Sequence, residues 1–163
     1  MRIEIKKLRQ DAVIPTQGSE RAAGYDLYAC IDTYEPCSVM PHATNKVGTG
    51  IAVAIPDGYF GAIFARSGLA TKKGMRPANC VGVVDSDYRG EVIVALHNDT
   101  DEKQYFQNGE RIAQLVILPY VSAEFCEVEE LDSTERGSGG FGSTGTSVAE
   151  SEPEYEQLSL FSD

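Results

Sequence analysis

Short apolar runs separated by turn residues dominate the first 145 positions of the chain. Gly, Pro, Asn and Asp recur every few positions, and the runs between them are rich in β-prone residues. Glu91–Asn98 alternates loosely between polar and apolar residues, as a half-buried strand does, whereas Ile51–Ile55 is apolar throughout and favours a strand covered on both faces. The predicted strands are Arg2–Lys7, Tyr25–Ala29, Lys46–Ala54, Tyr59–Ala65, Cys80–Val84, Glu91–Asn98, Ile112–Leu118 and Ala123–Val128.

Helical periodicity is confined to one short stretch. The pattern predicts a helix over Ser67–Lys73, with Ser67 as its N-cap and Gly74 as its C-cap. Many short strands with turn signals between them are typical of a β-barrel, a jelly roll or a sandwich. We therefore expect an all-β domain with one very short helix.

The composition of the chain changes towards its C-terminal end. Residues 136–145 are rich in glycine, which favours a mobile segment, and residues 146–163 are rich in Glu and Ser, which favours disorder. The predicted organisation is a β core over residues 1–135, a Gly-rich arm over 136–145 and an acidic tail over 146–163.

Length, charge and cysteine usage limit the functional classes. The 163 residues suffice for one domain, and the net charge of −11 argues against direct nucleic-acid binding. A phosphorylated small molecule remains compatible where a few arginines and a divalent cation gather. No apolar run approaches the ~20 residues that span a bilayer, and the start of the chain does not resemble a signal peptide. The four cysteines lack metal-ligand spacing and predict free thiols, so we expect a cytoplasmic protein without a membrane or zinc site.

The segment Ala65–Ala70 has the residues of a phosphate site. Arg66 can form paired hydrogen bonds with phosphoryl oxygens, while Ser67 and Gly68 leave backbone N–H groups accessible at the start of the predicted helix. The alternative is a surface arginine beside an ordinary serine cap.

The segment Gly82–Gly90 predicts a β-hairpin that carries carboxylates. A carboxylate held against a water molecule acts as a general base in hydrolysis. The alternative is a polar turn in which both aspartates cap backbone amides. We favour that alternative for Asp87 and the general base for Asp85.

Three further features indicate a functional role less specifically. The glycines of Arg136–Gly145 would let the backbone wrap phosphates, with Phe141 free to close over a planar base; the alternative is a simple linker. Asp26 stands in an apolar strand, either as a water-mediated Mg²⁺ ligand or as a structural hydrogen-bonding group. Arg111 and Gln114 are three apart, so in a regular strand they would lie on opposite faces.

Read in order, these pieces resemble the five motifs of the trimeric dUTPase family. The resemblance spans nearly all of residues 1–145 and implies hydrolysis of dUTP to dUMP and pyrophosphate. It implies a distorted β-barrel or jelly-roll-like fold (a β-clip) and a homotrimer with shared active sites. Motifs one, two and four of one chain would meet motif three of a neighbour, and the arm of the remaining chain would close over the nucleotide. The five motifs correspond to Ala23–Ala29, Ala65–Ala70, Gly82–Gly90, Gly109–Ile117 and Arg136–Gly145.

The resemblance also implies roles for individual residues. Asp85 would activate the water that attacks the α-phosphorus, and Asp26 would hold Mg²⁺ through water. The hairpin Asn79–Val84 would present backbone groups to the uracil edge, and Tyr88 would pack beneath the sugar. Arg111 is assigned to structure. The residues implied to contact the substrate are Arg66, Ser67 and Gly68 (α- and β-phosphates), Asn79, Gly82, Val83 and Val84 (uracil), Gln114 (phosphates or water), Arg136, Ser143 and Thr144 (γ-phosphate), Phe141 (stacking on uracil), and Gly140 and Tyr88.

The sequence departs from the family motifs at one position, and two alternative functions remain open. Ala65 occupies a position that is usually Pro, so we expect a looser turn with activity retained. A dCTP deaminase shares the implied fold, and a non-catalytic nucleotide sensor could use the same scaffold.

The acidic tail ends in a pentapeptide outside the family motifs. It resembles the peptide by which bacterial polymerases and repair proteins dock on the replication sliding clamp, with a Gln for hydrogen bonding and apolar anchors for a groove. The alternative is an apolar stretch without a partner. The candidate clamp-binding residues are Gln157, Leu158, Ser159, Leu160 and Phe161.

Overall fold

The computed structural model describes residues 1–32 and 36–140, which form twelve short strands and one helix. All pairings between these strands are antiparallel. In chain order the elements are β1 (Glu4–Lys7), β2 (Thr16–Gln17), β3 (Tyr25–Tyr28), β4 (Cys37–Val39), β5 (Thr44–Gly48), β6 (Ile51–Ala54), β7 (Tyr59–Phe64), α1 (Ser67–Lys73), β8 (Met75–Pro77), β9 (Gly82–Val84), β10 (Ile93–Asn98), β11 (Gln104–Phe106) and β12 (Arg111–Pro119).

The strands form four small sheets around one apolar core. The sheet orders are β1–β6, β5–β10–β8, β11–β4 and β2–β3–β12–β7–β9, and within the described residues they do not close into a barrel. The nearly all-β class is thus confirmed, in an open arrangement of sheets. The largest fully buried side chains of the core are Phe106, Leu27, Ile51, Met75, Leu96 and Ile112.

The five-stranded sheet fixes the positions of the predicted site. Gln114 of β12 pairs with Asp26 of β3 on one side and with Phe64 of β7 on the other. Cross-strand partners present their side chains on the same face of a sheet. Since Arg66 follows Phe64 by two residues, this register brings the start of α1 close to Asp26.

The single predicted helix is confirmed, with one correction at its start. It spans Ser67–Lys73, and Gly74 ends it in the left-handed conformation at φ 58°. The N-cap, however, is Arg66, whose side chain forms no capping bond. Ser67 already has helical geometry, because the chain turns one residue earlier than the cap preference of serine suggests.

Two predicted strands differ from the structure. Lys46–Ala54 is interrupted between β5 and β6, because Gly50 adopts φ 67° and turns the chain. Ala123–Val128 forms no strand, and Phe125 is 96% exposed. This segment lacks a pairing partner among the described residues, and an unpaired strand is not stable alone. The sequence prediction also missed four short strands: β2, β4, β8 and β11.

The chain divides into two compact units, Met1–Ala123 and Glu124–Asp163. The strands and the helix found among the described residues all lie in the first unit. In the described part of the second unit, local turns join Thr134 to Gly137 and Arg136 to Gly139. No helix among the described residues is both long and apolar enough to cross a bilayer.

The four cysteines are free, in varied environments. Burial raises the pKa of the Cys30 and Cys37 thiols. Cys80 and Cys126 are exposed.

The turn at Gly50 gives a test of the fold. A Cβ on Gly50 would lie 2.7 Å from Cys30 Sγ and 2.8 Å from the Ala12 Cβ. Gly58 also has a positive φ, 81°, but nothing lies within 4 Å of its added Cβ. Gly50→Ala should therefore lose about 3 kcal/mol of unfolding free energy and Gly58→Ala about 1 kcal/mol, since both pay for the left-handed backbone and only the first also overpacks the core. Urea unfolding at matched protein concentration measures both, and equal losses would contradict the account.

Candidate active site

A buried carboxylate organises the basic side chains of the site. Asp26 is 8% exposed and accepts a hydrogen bond from Arg66 Nε at 2.7 Å on one oxygen and from Arg111 Nη1 at 3.2 Å on the other. Each guanidinium approaches a different oxygen, so the carboxylate fixes both arginines at once. Asp26 thus makes the hydrogen bonds of a structural group, one of the two roles that the sequence indicated.

A β-bulge explains why Arg111 reaches Asp26. Arg111 pairs with Tyr28 and Ala113 with Leu27, so the register of β12 against β3 shifts by one residue between them. The extra residue places Arg111 and Gln114 on the same face of the sheet, because residues 26 and 28 share that face. The expectation that Arg111 and Gln114 lie on opposite faces is therefore wrong.

Gln114 supports the turn that presents Arg66. Its side-chain Nε2 donates to the Ala65 carbonyl at 2.9 Å. A Cβ on Gly24 would lie 2.6 Å from Gln114 Oε1, so the glycine of motif one leaves room for this amide. The bond fixes the carbonyl at the position where the family motif usually has proline.

The two arginines open onto a cleft beside α1, which we call the basic cleft. Its wall includes Glu110 as one acidic side chain. Four basic groups gather here although the chain as a whole carries a net charge of −11. A cleft of this charge suits an anionic ligand. The lining residues that matter for the chemistry are Tyr28, Arg66, Gly68, Lys72, Lys73 and Arg111.

Asp85 lies in a different cleft, which we call the carboxylate cleft. It follows β9 directly, and Phe60, Val83 and Tyr120 line the cleft around it. Asp87 and Ser86 belong to the same wall. Asp85 is exposed in the single chain, so its carboxylate is open to water, the molecule that a general base in hydrolysis deprotonates.

The loop after Asp85 is braced by its own side chains. Arg89 Nη1 donates to the carbonyls of Ser86 at 2.6 Å and Tyr88 at 2.9 Å. The Tyr88 hydroxyl donates to the Glu91 carbonyl at 2.9 Å, and a Cβ on Gly90 would lie 2.4 Å from that hydroxyl oxygen. Gly90 therefore lets the Tyr88 ring lie over the backbone. Arg89 was not singled out from the sequence, where nothing distinguishes it from a surface residue.

An ion pair lies next to the hairpin predicted to contact uracil, where Arg76 Nη1 approaches Cys80 Sγ at 3.9 Å. Arg76 donates to both Asp99 oxygens, at 2.7 and 3.0 Å, and this hydrogen bonding lowers the pKa of Asp99. The hairpin turns at Cys80, which has φ 62° although it is not glycine. Beyond it, Gly82 is buried, and a Cβ added there would lie only 3.1 Å from the Ile63 Cβ and 3.6 Å from the Asn79 Nδ2.

Within one chain the phosphate-binding candidates and the general base are separated. Val84 pairs with Gly61 near the start of β7, so Asp85 lies beside Phe60. Arg66 follows the opposite end of β7 at Phe64. Four residues of strand span about 13 Å. A single chain therefore brings together Asp26, Arg66, Arg111 and Gln114 but keeps Asp85 apart from them.

The arm residues lie in the second compact unit or outside the described part of the chain. Arg136 and Gly140 are exposed, and Arg136 Nε donates to the Gly139 carbonyl at 2.9 Å. The remaining predicted arm and tail residues lie outside the described residues: Phe141, Ser143, Thr144 and Gln157–Phe161.

The segments described above lie within the part of the chain that matches known proteins. The family model described as dUTPase matches residues 10–145. The chain is 49% identical over 145 residues to the deoxyuridine 5'-triphosphate nucleotidohydrolase of Nautilia profundicola, covering 89% of this chain and 99% of that protein. It is 47% identical over 134 residues to the protein of the same name from Candida albicans, covering 81% and 80%.

A solved structure shares the fold described here. The Staphylococcus bacteriophage 80alpha dUTPase with dUPNHPP aligns at a TM-score of 0.78 and 30% identity, covering 89% of this chain and 99% of that chain. The described fold and the motif order therefore coincide with one family.

Proposed function

The chain belongs to the dUTPase family, and from that premise we propose that it is a dUTP diphosphatase that hydrolyses dUTP to dUMP and pyrophosphate. The observation that carries the proposal is the Asp26 carboxylate holding Arg66 and Arg111 over a basic cleft. These groups suit the charge of a triphosphate, and Asp85 supplies the separate carboxylate that hydrolysis needs.

In the proposed reaction, Asp85 accepts a proton from a water molecule as that water attacks the α-phosphorus. The new bond joins the water oxygen to phosphorus, and the bond from the α-phosphorus to the bridging oxygen breaks. Pyrophosphate leaves with the bonding electrons. Arg66, Ser67 and Gly68 contact the α- and β-phosphates, and Gln114 orients phosphate or water. Stabilising the charge on the phosphoryl oxygens is the main contribution of the protein in reactions of this kind.

Base selection is assigned to the hairpin next to the Arg76–Asp99 ion pair. Backbone groups from Asn79 to Val84 would hydrogen-bond the uracil edge, with the Asn79 side chain assisting. Cytosine has its donor and acceptor exchanged at that edge and would leave buried groups unpaired, which discriminates strongly. Tyr88, fixed over Gly90, would pack beneath the deoxyribose and exclude a 2′-hydroxyl.

Magnesium fits this site as an ion carried by the substrate. The described residues contain no cluster of three or more His, Cys, Asp or Glu side chains that could enclose a metal. Both Asp26 oxygens already accept arginine hydrogen bonds. Mg²⁺ retains water ligands and commonly binds through phosphates and one or two carboxylates. Asp26 would hold it through water, and the ion would neutralise charge on the triphosphate.

We propose a homotrimer with active sites shared between chains. The separation of Asp85 from Arg66 along β7 supports it, because a second chain would supply the missing half of each site. Exposed apolar residues give further support: Val121, Phe125 and Leu131 are 91%, 96% and 85% exposed, more than an isolated chain tolerates well.

The same proposal assigns roles to the core and to the Gly-rich arm. Residues 1–135 form the catalytic core, and the Gly-rich arm 136–145 closes over the nucleotide of another subunit. Arg136, Ser143 and Thr144 bind the γ-phosphate, Gly140 lets the backbone approach, and Phe141 stacks on uracil. We propose a cytoplasmic location, which the free thiols and a nucleotide substrate support.

Replacing the proposed base tests the reaction. Asp85→Asn should lower kcat for pyrophosphate release from dUTP by about 10²–10⁴-fold, since the amide cannot accept the proton. Asp87→Asn is the matched control from the same loop and should retain near wild-type turnover. dUTP binding should persist in both variants, and dCTP, dTTP and UTP should release little pyrophosphate with the wild type. Wild-type turnover in Asp85→Asn would contradict the assignment; ammonia release from dCTP would instead support a deaminase.

Mixing two inactive variants tests the shared site. Asp85→Asn and Arg66→Ala homotrimers should each be inactive. After the subunits are exchanged at equal amounts, sites built from an intact Asp85 of one chain and an intact Arg66 of its neighbour should restore about a quarter of wild-type activity. Activity that stays at the level of the separate variants, with exchange verified by mass spectrometry, would show that each chain builds its own site.

We propose that the acidic tail binds the replication sliding clamp through Gln157–Phe161. The support is the sequence alone: a Gln and three apolar anchors end a polar segment, a pattern suited to an apolar groove. Clamp binding would deliver the enzyme to replication forks and remove dUTP where a polymerase would incorporate it.

Truncation tests the clamp proposal. Deleting Glu156–Asp163 or changing Leu160 and Phe161 together to Ala should abolish binding to a bacterial sliding clamp in surface plasmon resonance and leave dUTP hydrolysis unchanged. Ser162→Ala, adjacent to the pentapeptide, is the control and should keep binding. Unchanged clamp affinity in the truncated protein would refute the proposal.

A further inference from the structure

The charge balance of the basic cleft depends on its lysines. Arg66 and Arg111 bring two positive charges, which Asp26 and Glu110 offset. The net positive charge therefore comes from Lys72 and Lys73 in the last turn of α1. Each lysine has two possible roles: it stabilises the helix C-terminus, where cations are favourable, or it binds an anionic ligand in the cleft. The surroundings of each side chain decide between these roles.

The Lys73 side chain packs against a core residue. Its Nζ lies over the Phe106 ring, 5.7 Å from the ring centroid, and Phe106 is fully buried. Lys73 also follows the buried Leu69 by one helical turn, so the two lie on the same side of α1. This cation–π contact holds the ammonium group near the protein.

Lys72 instead shares a helix face with Gly68. The two residues are four positions apart and both line the basic cleft. Nothing lies within 4 Å of a Cβ added to Gly68, so packing does not require a glycine there. The open space above Gly68 is available to a ligand, and the exposed Lys72 side chain lies one turn further along the same wall.

We propose that Lys72 is a further substrate-binding residue, one that contacts the outer phosphates of the triphosphate beyond those held by Arg66 and Gly68. This inference rests on the proposed function of the basic cleft. A flexible ammonium group at this position adds a positive charge where the leaving pyrophosphate carries its negative charge. Its contribution is to binding, since the charge is already present before the bond to the α-phosphorus breaks.

Calorimetry on the full-length protein with two ligands isolates this role. Lys72→Met should weaken binding of dUPNHPP by about tenfold, as expected for the loss of one charged phosphate contact, and should leave dUMP binding within about twofold. Lys72→Arg should restore dUPNHPP affinity because it keeps the charge. Lys103→Met, a control outside the basic cleft where the lysine Nζ lies 5.1 Å from the Tyr105 ring centroid, should leave dUPNHPP affinity unchanged.

Turnover of dUTP provides a second readout. Lys72→Met should raise KM by a similar factor with kcat nearly unchanged, the pattern of lost uniform binding. Equal affinities of Lys72→Met and wild type for dUPNHPP, or an equal loss for dUMP and dUPNHPP, would overturn the inference while the proposed function stands. Failure of the wild type itself to bind dUPNHPP or turn over dUTP would instead overturn the proposed function.

Discussion

One carboxylate shared by two guanidinium groups is the contact on which the site depends. Asp26 is buried in the sheet, and a buried charge is costly unless it is paired. Arg66 and Arg111 supply that pairing and are themselves oriented by it. Two positive charges meet one negative charge in this contact. Glu110 offsets the remaining positive charge within the cleft, where Lys72 and Lys73 supply the net positive charge. The same contact therefore pairs the buried carboxylate and orients two arginines in the wall of a cleft that suits phosphate.

This contact exists because three strands are aligned by register. Asp26, Gln114 and Phe64 lie in one row across β3, β12 and β7, and a bulge in β12 adds Arg111 to the same face. β7 also carries the pairing with β9 that leads to Asp85, at its other end. The strand that assembles one half of the chemistry therefore keeps the other half away, and the proposed assembly of chains follows from that rigid spacing.

The sequence was sufficient for the class of fold, the helix and the order of the motifs, but it could not supply long-range register. Gly74 ends α1 because glycine tolerates the left-handed backbone, and that signal is local. The bulge between Arg111 and Ala113 depends on how two distant strands pair. Residue spacing alone therefore predicted that Arg111 and Gln114 lie on opposite faces of the sheet, whereas they share one face. Cys80 adopts a positive φ that its residue type does not favour. The Arg76–Asp99 and Arg89 contacts join residues whose individual positions look like ordinary surface charges.

The placement of Asp85 and Arg66 at opposite ends of β7 has a genetic consequence. In an assembly of the proposed kind, each chain contributes one carboxylate to one site and one arginine to another. A chain that lacks both residues disables two of its trimer's sites, although it makes up a third of the subunits, whereas a chain that lacks one residue disables a single site. When altered and normal alleles are expressed together, the double lesion should therefore act in a partly dominant manner, and two different single lesions should complement each other within one gene.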